Sequence, residues 1–534
     1  MEYSLYCRAF KGVDAGLIAR FFSQHLSSYQ ERVVFVWKTR GERQAKARFD
    51  SCVSEEHMEG LKGLTFREEA IKFELIGKND EDSSVERKRM KKDHPPCIEK
   101  LCLPWLAEQV DYSEQLVRKE SFVREAIDKA LIGVNKSARE RGYEEEIFWS
   151  GLKKIDQTIH VPKSEGYRNK CEFTFGLNSE GHADIGFMLA RATTRCEAVV
   201  AAGENLMHVP AGIARIVEKL RFLLRENLDS FPLFSHVRKE GGWRLAAIRR
   251  CPLSEECQLL IQSGTSVERE KFELLLKKFA ENEKINSLYV QYNASVTDTT
   301  VLSELHEMKL LFGSECIEMR VPIPENCTRK NNEFFVKFQV HPLSFFQTNT
   351  AGCGLLYQRV ADHLVGDEST VIDVCCGVGT IGQYSANSGG VGKVIGVDMV
   401  EEAIANARYN AEANDLKICE YFAGRAETVL PRIIQENNFG ENGKIIAVVD
   451  PPRVGLHKSV INAIRKNEGI TTVIYVSCNP ASLALDLVKF CEPLTSCPEE
   501  EGVAVNKRFE PVSAVAVDMF PNTPHCEVVV LLTR

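Results

Sequence analysis

"STVIDVCCGVGTIG", residues 369–382, decides how the last third of this chain folds. Its first half is β-branched and apolar, the composition of a buried strand, interrupted near the end by Asp373. Gly377, Gly379 and Gly382 then make a G-x-G-x-x-G turn that opens a helix. Downstream, "GGVGKVIGVDMV" (389–400) reads as a second strand ending in Asp398, and "EEAIANARYNAEAND" (401–415) as a helix with Ile404 and Ala407 at helical spacing. "KIIAVVDPPR" (444–453) and "TTVIYVSCNP" (471–480) are further strands, separated by the helical "SVINAIRKN" (459–467). Strands alternating with helices predict an α/β fold with a parallel, doubly wound sheet.

The glycines let a backbone approach a ligand closely, and an acid ending the second strand accepts from both hydroxyls of a ribose. A dinucleotide site has the same pattern. Two residues move the reading. Asp373 would repel a pyrophosphate and accept from a cationic or amino-bearing ligand. Asp450 is followed by Pro451 and Pro452, whose restricted backbone holds an acceptor at the pocket mouth. Both features are similar to S-adenosylmethionine-dependent methyltransferases, so that cofactor is expected rather than NAD.

At 534 residues the chain is too long for one ordinary domain, and its 44% hydrophobic and 27% charged residues are those of a globular protein. A net charge of −8 argues against a uniformly basic surface but permits a local basic patch. No apolar run reaches the length of a membrane span, and "MEYSLYCRAF" has neither signal- nor transit-peptide layout, so a cytoplasmic or nuclear location is expected. The 18 cysteines are then thiols by default. "CIEKLC" (97–102) lacks a second pair nearby, and no metal is expected.

Four segments divide the chain: 1–78, a linker at 79–97, 98–345 and 346–534. Residues 1–78 read β-α-β-β-α-β, the ferredoxin-like split unit, and resemble an RNA-recognition motif. Gln44 and Lys46 stand where that family's third strand stacks bases on aromatic rings, while Tyr6 on the first strand remains able to stack. Sequence recognition and a degenerate docking module both fit. "NDEDSSVERKRMKKDHPP" (79–96) is a charged linker whose basic cluster also fits a nuclear-import signal. Residues 105–160 are helical, and 165–345 are strand-rich and mixed. Cations gather there among apolar neighbours, at Arg168 and Lys170 and across "VRKEGGWRLAAIRR" (237–250), which suits phosphate tracking or a solvated edge.

Cys478 ends the strand after Asp450, at the carboxyl edge where α/β folds place their chemistry. A thiol beside a methyl donor suits an unreactive carbon such as uracil C5: thiolate addition at C6 makes C5 nucleophilic. A general base must then remove the C5 proton, and Glu527 precedes the last apolar run.

"FFQTNT", "DVCCGVGTIG", "DPPRVGL", "YVSCNP" and "FPNTPHCE" occur in the order found in RNA uracil-C5 methyltransferases, which 98–534 resembles. "PWLAEQVDYSEQLVRKE" and "GYRNKCEFTFG" are similar to the animal branch acting on the T-loop uridine of transfer RNA. The resemblance implies Cys478 as nucleophile, Glu527 as base and S-adenosyl-L-methionine as cofactor. It implies Gln347, the Asp373–Thr380 loop with Cys375, Gly377 and Gly379, Asp398, Glu427 and Asp450 as the cofactor and uracil pocket. Bacterial members place an aromatic where Cys375 stands, so no stacking is expected there. The four-cysteine iron–sulfur set of ribosomal-RNA relatives is missing. Arg168, Asn169 and Lys170, with Gln347 and Asp450, are the expected RNA contacts. The target base must leave its stack to reach Cys478. Other readings are an amino-group methyltransferase, a cytosine-C5 enzyme, and an RNA-folding factor without catalysis.

Overall fold

The computed structural model describes the strands within residues 1–78 and, from Cys97, all but 144–151, 153, 191–198, 237, 294–305, 326, 328–333, 365–368, 389–390, 437–443 and 494–507. It divides into two compact units, Met1–His94 and Pro95–Arg534. In the first, Val33–Trp37, Gln44–Phe49, Glu2–Tyr6 and Lys72–Leu75 form, in that order, an antiparallel sheet. The register sets Tyr6 opposite Gln44 and Ser4 opposite Lys46. The helices expected at 15–26 and 54–64, and the basic linker cluster, lie outside the described residues.

The second unit is built on a sheet whose elements we label α1 (Tyr112–Glu140), α2 (Thr350–Ala361), β1 (Thr370–Val374), α3 (Thr380–Asn387), β2 (Lys393–Asp398), α4 (Glu401–Ala413) and β3 (Cys419–Ala423). They continue with α5 (Ala426–Glu436), β4 (Ile445–Val449), α6 (Lys458–Lys466), β5 (Ile470–Ser477), α7 (Pro480–Cys491), β6 (Glu510–Val517) and β7 (Glu527–Thr533). The order is β3-β2-β1-β4-β5-β7-β6, and a short strand, Lys154–Ile155, extends the edge. β1 to β5 are parallel, and β7 runs antiparallel between β5 and β6.

Strand side chains alternate between two apolar layers. Ile372, Val374, Val473 and Tyr475 pack with α1, α5, α6 and α7 on one face. Val371, Val394, Ile474 and Val476 pack with α2, α3 and α4 on the other. Burial on both faces is why these strands read as continuous apolar runs.

Two pieces that sequence grouped with 98–345 pack into these layers. The α1 residues Val123, Ile127, Ala130 and Val134 join the first, and an added Cβ at Gly133 would come within 2.5 Å of Val488 on α7. The hairpin Ile317–Pro322/Phe335–Val340 joins the second. What remains of the middle region is a seven-stranded mixed sheet, from Val199–Ala201 at one edge to His306–Gly313 at the other. Helices Ala211–Glu226 and Arg269–Asn282 contribute to its core. Among the described residues, no helix is long and apolar enough to cross a membrane.

Candidate active site

Strand order reverses between β1 and β4, and the crevice beyond their carboxyl ends is where open α/β sheets bind ligands. Asp373 lies on β1, Asp398 ends β2, Asp450 follows β4 and Cys478 follows β5. Ser477 pairs with Val528 at the end of the β5/β7 ladder, so Cys478 and Glu527 are the next residues along their segments.

The glycine loop turns through left-handed backbone. Gly377 and Gly379 have φ of 54° and 81°, and Cys375 shares the left-handed region at 65°. An added Cβ at Gly377 meets nothing within 4 Å, whereas one at Gly379 would lie 2.7 Å from Gln383 Nε2 and Tyr421 Oη. The N–H groups of Cys375 and Cys376 both donate to the Val397 carbonyl, at 2.9 and 3.2 Å, fastening the loop to β2. Tyr357 Oη donates to Thr380 Oγ1 at 3.0 Å, fixing the first residue of α3.

Asp373 is 1% exposed. Its Oδ2 accepts the Gly382 N–H at 3.0 Å, but Oδ1 is buried without a partner. Burial, with Asp450 and Asp398 nearby, pushes its pKa up to about 7. Asp398 accepts from the Gly377 N–H on one oxygen and the Val400 N–H on the other, each at 2.9 Å, leaving lone pairs for a diol. Glu427 lies in the first turn of α5, half-buried and 4.0 Å from Arg425. Gly424, just upstream, donates to the Asp398 carbonyl at 2.8 Å.

Around the thiol, burial raises Asp450 to about 7. Burial and the Asp450 charge push Glu527 well above the carboxylate range. Glu527 is 3% exposed, and its Oε2 has no partner. Burial, then Glu527 and Asp450, raise the Cys478 thiol to about 11. Arg453 opposes the rise at both Cys478 and Glu527. No role for this arginine follows from "DPPRVGL" alone. Its place directly after the two prolines was the available signal.

The turn behind the thiol is stapled. Asn479 caps α7 by accepting from the Ala481 N–H at 3.1 Å, and its Nδ2 donates to the Arg453 carbonyl at 2.8 Å. Buried Asp486 on α7 accepts from the Leu456 N–H at 2.6 Å and from Tyr475 Oη at 2.8 Å. The loop after Asp450 and the strand before Cys478 thus share one anchor, which no local pattern revealed.

The expected RNA contacts divide. Arg168 is half-buried, with a long 3.4 Å contact from its Nε to the Lys170 carbonyl, and Lys170 pairs with Glu172 at 3.1 Å. Burial, then Arg249 and other nearby charges, lower the Lys170 pKa. Asn169 is 2% exposed, and its Nδ2 donates to the Gln347 carbonyl at 2.8 Å and Thr350 Oγ1 at 2.9 Å. It joins the middle sheet to the segment holding Gln347, itself buried. Arg249 on the strand Leu245–Arg250, and Arg244 just before it, also turn inward. Arg249 donates to the carbonyls of His341 at 2.9 Å and Ser344 at 2.8 Å, and burial lowers it to about 10. Arg244 stacks on Phe234, 4.2 Å from the ring centroid.

A doubly wound sheet with a glycine loop, acids ending successive strands and a thiol within electrostatic reach of a carboxyl defines a methyltransferase-type α/β protein. The model of the tRNA (uracil-5-)-methyltransferase family matches residues 273–534. A human relative, tRNA (uracil-5-)-methyltransferase homolog B, is 30% identical over 412 residues, covering 72% of this chain and 76% of the relative. An uncharacterized RNA methyltransferase of Clostridium tetani is 31% identical over 383 residues, covering 70% and 73%. The mouse homolog A is 31% identical over 384 residues, and the chain spans 58% of its length. The crystal structure of Pyrococcus abyssi tRNA (uracil-54, C5)-methyltransferase with S-adenosyl-L-homocysteine shares the fold: TM-score 0.53, 23% identity, 81% of this chain and 86% of that one. The chain belongs to the tRNA (uracil-5-)-methyltransferase family.

Proposed function

We propose that the protein methylates C5 of a uridine in RNA, with the T-loop uridine of transfer RNA as target. The observation that carries this is the Cys478 thiol lying within electrostatic reach of the Glu527 and Asp450 carboxyls, just beyond the Ser477–Val528 pair. The residues fit S-adenosyl-L-methionine: the unpartnered Asp373 Oδ1 suits its positive end, Asp398 its ribose hydroxyls, and Gly377 and Gly379 its close approach. When bound, it supplies an electrophilic methyl group.

The half-buried Cys478 thiol gives up its proton to solvent, and the thiolate adds to C6 of the uracil, raising electron density at C5. Arg453 favours the thiolate. Asp450 holds the polar edge of the ring. Once C5 carries the methyl, Glu527 removes its proton, the C5=C6 bond re-forms and Cys478 departs. Arg168 and Lys170 contact the RNA, and the antiparallel sheet of residues 1–78 supports a ferredoxin-like, RNA-recognition-type module that docks it.

The test is a covalent trap. A T-arm RNA carrying 5-fluorouridine, mixed with protein and cofactor, gives an adduct surviving a denaturing gel, because fluorine does not leave as a proton. The band is expected with the natural chain and absent with Cys478→Ala. No band despite intact RNA binding sinks the C5 reading and favours an amino-group enzyme or a folding factor.

A further inference from the structure

Away from the cleft, a concentrated set of buried polar contacts lies where α1 meets the turn leading into β7. Tyr112, Gln115 and Lys119 share one face of α1. Lys119 forms an ion pair with Asp518, both side chains 0% exposed, and donates to the Phe520 carbonyl at 3.0 Å. Tyr112 Oη donates to Asp518 Oδ2 at 2.7 Å. Gln115 and Asn522 bond reciprocally: Gln115 Nε2 donates to Asn522 Oδ1 at 3.0 Å, and the Asn522 N–H donates to Gln115 Oε1 at 2.9 Å. The Trp105 N–H adds a bond to the Asn522 carbonyl at 3.1 Å. Asn522 itself sits at φ 65°.

A buried ion pair is weak evidence of a purely stabilising role, since apolar groups of equal volume often do as well. What this set defines is the place of one turn, 518–522, five residues before the first residue of β7, Glu527. Glu527 Oε2 has no partner to steer it, so the carboxyl's position depends on its backbone.

We infer that Lys119 and Gln115 are positioning residues for Glu527, acting through the 518–522 turn on removal of the C5 proton rather than on thiol addition. The inference rests on the reading of Glu527 as base. In the affected step the C5–H bond breaks and its proton passes to the Glu527 carboxylate. The bonding electrons form C5=C6, and the C6–S bond breaks to leave the Cys478 thiolate. A base displaced by roughly 1 Å slows such a step by about a hundredfold. A loss confined to this step leaves methylated RNA attached to protein.

The experiment is a single turnover of full-length protein with T-arm RNA and methyl-labelled cofactor, the label being followed into protein-linked and free RNA on a denaturing gel. Lys119→Met and Gln115→Leu are expected to slow release of RNA from the adduct by about ten- to a hundredfold. Methyl label should accumulate in the linked band with its rate of incorporation nearly unchanged. Loss of incorporation and release together, or no change in either, overturns the inference. Lys119→Met strands Asp518, so Lys119→Met/Asp518→Leu supplies a variant without an unpaired charge; slow release from that folded protein supports positioning, and normal release refutes it. Glu527→Gln separates the two claims. If it accumulates adduct and the helix variants do not, only the positioning fails; if it accumulates none, the base assignment itself is wrong.

Discussion

Asp373 and Glu527 at the cleft and Asp486 and Asp518 behind it are the same kind of group at the same depth, none more than 3% exposed. The rear pair is met on both oxygens. Asp486 takes Leu456 and Tyr475 on one and Lys489 on the other; Asp518 takes Tyr112 and Lys119. Each cleft carboxyl leaves one oxygen buried and unmatched. Depth alone therefore does not distinguish a brace from a binding group. An acceptor kept from both water and protein is costly, and a ligand that supplies a cation or donor removes that cost.

Asp486→Ala should test the contrast hardest. It strands the Leu456 N–H and the Tyr475 hydroxyl, and urea unfolding should show a loss of about 3 kcal/mol. An unchanged midpoint would mean that the brace carries no strain-free bonding.

Asp373→Asn should do the reverse. Cofactor affinity should fall about a hundredfold by calorimetric titration, the scale of a lost charge-assisted bond, while the melting temperature holds or rises. Equal cofactor affinity in both proteins would remove Asp373 from the pocket.

Acidity supplies the third test. Asp373 and Asp450 are raised to about 7 in the fold, so the folded state binds protons there more tightly than the unfolded chain. Their contribution to stability is full below the ordinary carboxylate pKa and is lost as pH rises through about 7. A cation prefers the carboxylate form, so cofactor affinity should climb between pH 6 and pH 8, by about tenfold for one displaced proton. Flat affinity across that range would contradict the buried-acid account.

The smallest contrast lies within the glycine loop. Gly377→Ala meets open space and should cost about 1 kcal/mol for its backbone alone, whereas Gly379→Ala adds contact with Gln383 and Tyr421 and should cost more. Thermal melts of the two variants rank them, and the opposite order would mean that the loop relaxes freely.

Much of the cleft was legible because its signals are local. A parallel strand buried on both faces is an apolar run, a left-handed turn needs glycine, and the acids stand at strand ends. Asp373, Asp398 and Asp450 could be placed from those rules, and Cys478 from its strand. The middle region was harder. A cation alternating on a strand has the same pattern whether it faces phosphate or the interior, and only the sheet's packing turned Arg244 and Arg249 inward. Asn169 carried no local sign that its amide would meet the backbone of Gln347, some 178 positions away.

By itself the sequence determined the alternation of strands and helices, the glycine turn, the strand-end acids and the thiol, because each depends on neighbours within a few residues. The tertiary structure alone decided that α1 belongs with the doubly wound sheet, that Gln115 and Lys119 meet a turn some four hundred residues later, and that the Glu527 charge reaches Cys478. Those are pairings of distant segments. They are selected when two apolar faces close and every buried donor between them must find an acceptor, a condition that no single stretch of chain contains.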